Sequence, residues 1–140
     1  MNKKNILIVF CSFLMNYAFA QIQFQGIEPV NNVLGDVSFV EQFGEMPTAQ
    51  TSDILRLQTH LEYVERKLRN ADISHLTAVQ KRNRNHILNI LNQYWKRGQF
   101  PKNDYFSTRK SVFIDRNGTH CAVGYLIKQT VGEAVSRQVN

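Results

Sequence analysis

Apolar residues recur along the middle of the chain at spacings of three and four. Ile54, Leu57, Leu61, Val64 and Leu68 form the first such series. At 3.6 residues per turn they share one stripe, so the spacing predicts an amphipathic helix. Thr51 or Ser52 supplies its N-cap, Asp53 stands where the helix dipole favours an acid, and the pattern ends near Asn70. A second series, Val79, Ile87, Ile90, Leu91, Tyr94 and Trp95, predicts a helix that begins between Ser74 and Thr77 and runs to Arg97. Gly98 stops it and Pro101 follows. Its middle, from Lys81 to His86, is polar throughout and is expected to face water. The short break at Ala71-Asp72-Ile73 joins the two helices as an antiparallel hairpin.

After Gly98 the pattern changes. Val112-Phe113-Ile114 is a short β-type run closed by Asp115-Arg116-Asn117-Gly118. Asn-Gly signals a tight turn, because both central positions of a type I′ turn need positive φ. Thr119 to Ile127 is apolar on every side and suits either a buried helix or a hairpin strand; Thr119 as N-cap, with Ala, Leu and Lys following, favours the helix. A last amphipathic turn or two runs from Val131 to Val139, after Gly132. Ahead of the hairpin, residues 21–50 scatter apolar side chains among Gly26, Pro29, Gly35 and Gly44 without a helical period. That stretch reads as an extended arm with one short strand at most. The fold class expected is mainly α: a small helical domain with a two-helix hairpin, a β-turn element and a C-terminal helix.

The first residues belong to a different pattern. Lys3 and Lys4 precede the apolar run Ile6 to Leu14, and Ala18-Phe19-Ala20 forms an A-x-A site before Gln21. Residues 1–20 therefore read as a secretory signal peptide cleaved after Ala20, too short in its apolar part for the ~20 residues that span a bilayer. Cys11 sits behind the bulky Phe10, which argues against lipid attachment. No later stretch is apolar enough to span, so the expected location is secreted or periplasmic.

Charge then sharpens the division. The 140-residue chain carries 17 Lys+Arg and 11 Asp+Glu, a net charge of +6. Residues 21–50 hold Glu28, Asp36, Glu41 and Glu45 and no base, whereas 51–140 hold every remaining acid and all bases outside the leader. The expected organisation is a leader (1–20), an acidic arm (21–50) and a basic, mainly helical domain (51–140). Opposite charge makes the helices a surface for the arm, with a solvated tail as the alternative. The length suits one domain, and the ordinary composition excludes collagen-like, disulfide-dense and wholly disordered classes.

With the leader removed, Cys121 is the only cysteine, so an intramolecular disulfide is excluded. In the first turn of a helix starting at Thr119 its thiol would gain thiolate character, with His120 beside it and His60, His75 and His86 upstream as possible bases. Cys121 and His120 are thus the catalytic candidates of a cysteine-dependent hydrolase or redox enzyme. Burial as a small apolar residue is the competing reading, and no His follows Cys121 as a papain-like order requires. Metal spacing is missing, and Asp115 to Gly118 suits a turn better than a calcium loop, so no metal or cofactor is expected. Among the bases, Lys81, Arg82 and Arg84 exceed what helix C-terminal charge explains. They are the binding candidates, for an anionic envelope component or an acidic protein; export argues against nucleic acid.

The run Phe113-Ile114-Asp115, Gly118-Thr119 and Cys121 to Leu126 resembles a signature shared by uncharacterised secreted bacterial proteins. His60-Leu61, Tyr63-Val64-Glu65, Leu68-Arg69, Gly98 and Phe100-Pro101 fit the same pattern. The resemblance implies no activity. It implies a C-terminally shortened member or a fragment, because the family continues past the position of Asn140 into a further helical segment. The function expected is a non-catalytic envelope or interaction protein, with the Cys121 enzyme as the alternative.

Overall fold

The computed structural model describes residues 27–139; the expected leader and cleavage site and the start of the expected arm lie outside them. Among the described residues five helices follow in order: α1 (Val37–Phe43), α2 (Asp53–Arg69), α3 (Ala78–Lys96), α4 (Ala122–Thr130) and α5 (Glu133–Gln138). The domain is mainly α, and β pairing among the described residues is limited to an isolated antiparallel bridge between Ile114 and His120. No helix among them is long and apolar enough to cross a membrane.

The hairpin forms where the spacing places it. Ser52 stands at the N-cap of α2, Asp53 in its first turn and Arg66, Lys67 and Arg69 in its last, with Asn70 closing it. A capping box starts α3: the Thr77 hydroxyl accepts from the Gln80 N–H, while the Gln80 side chain accepts from the Thr77 N–H at 2.9 Å. Gly98, at φ 62°, takes the left-handed conformation just past the end. Leu88, Leu91 and Tyr94 of α3 form the core, packed by Leu61, Trp95, Phe100, Ala122, Tyr125 and Leu126. Tyr94 meets the Phe100 ring edge-on at 5.5 Å and the Tyr125 ring at 5.1 Å.

Three expectations need correction. The stretch expected to be extended contains α1, which ends at Gly44 with φ 77°. Two turns are too short to print a period, and α1 gains its stability by burying Phe39 and Ser38 against α2. The apolar stripes are only partly buried: Ile54, Leu68, Val79 and Ile87 are exposed, whereas α2 buries Arg56, Thr59, His60 and Glu65. α2 packs against both α1 and α3, and the buried polar residues find partners there: Arg56 meets Asp36, His60 lies by Ser38 and Asn31, and Glu65 meets Asn92 and Trp95.

The third correction concerns the turn. Among the described residues only glycines have positive φ, so Asn117-Gly118 does not form a type I′ turn. The Asp115 carboxylate accepts the N–H groups of Asn117 and Thr119 at 2.9 and 2.8 Å, and the Gly118 N–H donates to the Asp115 carbonyl. Asp115 N–H to Thr119 O and Cys121 N–H to Phe113 O extend the pairing, which delays the helix: Cys121, not Thr119, caps α4. Gly124 lets α4 approach, since a Cβ there would lie 3.3 Å from the Phe113 ring. The buried Ser136 hydroxyl donates to the Gly124 carbonyl at 3.0 Å and docks α5.

Candidate functional site

The signature run brings Cys121 and His120 beside the core. The half-buried Cys121 Sγ accepts the Gly124 N–H at 3.4 Å, as an N-cap side chain does. His120 is 4% exposed, and its Nε2 is buried without a hydrogen-bond partner. Tyr94 Oη donates to the His120 carbonyl at 3.0 Å. Burial first, and then the nearby Cys121 thiol, push the Tyr94 phenol well above its ordinary pKa. No hydrogen bond among the described residues joins Cys121 to an imidazole. His60 faces the arm instead, its Nδ1 3.5 Å from Ser38 Oγ and its Nε2 3.4 Å from Asn31 Nδ2. Burial lowers the His60 pKa, against the opposing pull of Asp36. His75 and His86 are exposed.

The candidate binding bases separate. Arg84 donates to the Leu68 carbonyl and so caps the C-terminal end of α2. Lys81 is half-buried, and Arg82 alone of the three is fully on the outside. The exposed positions Val79, Arg82, His86, Asn89, Gln93 and Lys96 succeed one another at spacings of three and four, a ridge about 25 Å long along α3. From Ala78 to Arg97 the chain has no Asp or Glu. Among the described residues neither Arg82 nor Lys96 has an ion-pair partner; Lys96 Nζ lies 5.5 Å from the centre of the Trp95 ring.

Acids are instead concentrated around α2. Arg56, 2% exposed, donates from Nε and Nη2 to both oxygens of Asp36 at 3.1 and 2.8 Å, and also reaches Asp53 and the Glu28 carbonyl. Glu41 pairs with Arg66 at 2.9 Å and Lys67 at 3.8 Å. The arm thus lies on the basic helix through opposite charges. Between the hairpin helices, buried Glu65 accepts from Trp95 Nε1 at 2.6 Å, Asn92 Nδ2 at 2.9 Å and Arg69 Nε at 2.7 Å. Burial raises its pKa, but these donors together hold it below the usual carboxylate value.

A cleft of about 60 Å³ opens between α1 and α2, lined by Ser38, Gln42, Thr59, Glu62, Tyr63 and Arg66. It has room for water rather than for a drug-sized ligand, which needs roughly 300 Å³ or more. No group of three or more His, Cys, Asp or Glu among the described residues is arranged to hold a metal ion. Sequence reasoning passed over the stretch from Lys102 to Ser111, where Tyr105 and Phe106 stand exposed. The available signal was two adjacent aromatics inside an otherwise polar, basic run. Comparison with protein-family models, with curated proteins and with solved structures finds no match to the chain.

Proposed function

We propose that the protein is a secreted interaction module of the bacterial envelope, non-catalytic, which presents the outer face of α3 to an anionic partner. The observation that carries this reading is the ridge from Val79 to Lys96, which contains no acid and where Arg82 and Lys96 stand exposed without an ion-pair partner among the described residues. Positive charge that the fold does not neutralise is available to a ligand, and its attraction weakens as salt screens it. The Cys121 enzyme receives less support, because its thiol is engaged as a helix cap with no imidazole hydrogen-bonded to it.

Retention on a dextran sulfate resin, eluted with increasing salt, tests the reading. The R82Q/K96Q variant is expected to elute at clearly lower salt than wild type. K128Q/R137Q, with the same loss of charge at residues paired to Glu133, is expected to shift less. Equal shifts for the two variants would mean that net charge alone governs binding and that α3 has no special role.

A further inference from the structure

The connection from Arg97 to Cys121 contains no helix, and a stretch of that length inside a compact domain usually carries function. It exposes two consecutive aromatic side chains, Tyr105 at 60% and Phe106 at 54%. The local hydrogen bonding holds them outward. Asn103 Oδ1 accepts the N–H groups of Tyr105 and Phe106 at 3.3 and 3.1 Å, while its Nδ2 donates to the carbonyls of Phe106 and Thr108 at 3.3 and 2.7 Å. Both ends of the loop are fastened to the domain. The Lys102 N–H donates to Asp115 at 3.1 Å, Arg109 Nη1 to Asp53 at 2.9 Å, and the Arg109 N–H to Glu28. An aromatic pair fixed in this way has little ordering entropy left to lose on binding.

Each ring also carries a cation on one face. Lys110 Nζ lies 4.2 Å from the Phe106 centroid, and the Arg116 guanidinium 5.3 Å from that of Tyr105. Arg116 pairs with Asp104, the one acid between Lys102 and Ser111. The remaining exposed neighbours, Ser107 and Thr108, offer hydroxyl groups. Two rings among amides, hydroxyls and cations make a poor wedge for a bilayer, which needs a contiguous apolar surface. They suit a ligand with apolar C–H faces, hydroxyls and negative charge in one repeating unit.

We infer that the loop from Lys102 to Ser111, with Arg116, is a platform for an acidic polysaccharide. Tyr105 and Phe106 take the C–H faces of the sugar rings, Lys102 and Lys110 take the carboxylates, and Arg116, already paired with Asp104, backs the Tyr105 ring. This inference does not rest on the α3 ridge. Calorimetric titration of the full chain with polygalacturonate, with dextran and with phosphatidylglycerol vesicles tests it. Wild type is expected to bind polygalacturonate, and dextran at least tenfold more weakly. Y105A/F106A is expected to lose at least tenfold in polygalacturonate affinity with an unchanged melting temperature, since both rings are exposed; K110Q/R116Q should lose affinity chiefly at low salt. R82Q/K96Q, which leaves both rings in place, should lose clearly less polygalacturonate affinity than Y105A/F106A, which separates this site from the ridge. The inference is overturned if Y105A/F106A binds like wild type, if dextran binds equally well, or if only the vesicles bind.

Discussion

Removing the Glu65 carboxylate should destabilise the hairpin more than any other single change at its centre. In E65A the Trp95 indole N–H and the Asn92 amide lose their acceptor and Arg69 loses its counter-charge, all at the contact between α2 and α3. Hydrogen bonds to a charged group contribute about 1.5–3 kcal/mol each, but they share one acceptor and are not additive. Truncating one member of a buried, hydrogen-bonded charge cluster costs about 3 kcal/mol or somewhat more. Against a total stability of roughly 5–15 kcal/mol, that is a large fraction. E65Q keeps an acceptor oxygen and should lose about 1–2 kcal/mol. Urea unfolding gives the measurement, because Trp95 is the only tryptophan in the chain and its emission reports from the site itself. With a urea slope of about 1.5 kcal/mol/M, the E65A midpoint should fall by about 2 M.

The pH dependence follows from the same contacts. The folded-state pKa of Glu65 lies below its unfolded value, so its contribution is fully present above about pH 4.3 and is lost as pH falls through the folded value. The gap between wild type and E65Q should therefore narrow on acidification below pH 4.3. An E65A midpoint within about 0.5 M of wild type, or a gap to E65Q that widens in acid, would refute the reasoning.

Two further perturbations test the arm and the α4 cap. D36A leaves Arg56 buried with half of its hydrogen bonds gone and should cost about 3 kcal/mol, whereas D36A/R56M removes both charges and should recover part of that loss; thermal melts of both variants and of R56M decide it, and strict additivity would show that the pair is not coupled. C121A removes the side-chain acceptor at the start of α4 and should cost about 1 kcal/mol, while C121S keeps one and should unfold near wild type; equal losses for Ala and Ser would assign Cys121 to packing rather than capping.

How much the sequence reveals depends on the range of each interaction. The hairpin was legible because its signals are local: stripes with spacings of three and four, Ser or Thr at each expected start, and a glycine just past the last turn. The buried polar residues were not. Asp36 and Arg56 are 20 positions apart, Glu65 and Trp95 are 30, and nothing local marks either pair as partners. α2 buries Arg56 and Glu65 while Ile54 and Leu68, at the ends of its apolar stripe, stand exposed and Leu61 packs on the core. The candidate bases fared similarly: the sequence places Lys81, Arg82 and Arg84 together, but the rotation of about 100° per residue turns Arg82 away from the other two, and Arg84 caps α2.

What the fold adds to the charge pattern is its location. Asp36, Asp53 and Glu41 are paired with cations of α2, Glu65 with Arg69, and Glu133 with Lys128 and Arg137. With those acids committed, the positive excess stands where acids are scarce: along α3 and around the rings of Tyr105 and Phe106. These surfaces differ in kind. One is a polar helical ridge, suited to charge alone; the other pairs its cations with exposed aromatic faces. A partner that recognises only charge should distinguish them poorly, and one built of acidic sugars should prefer the second.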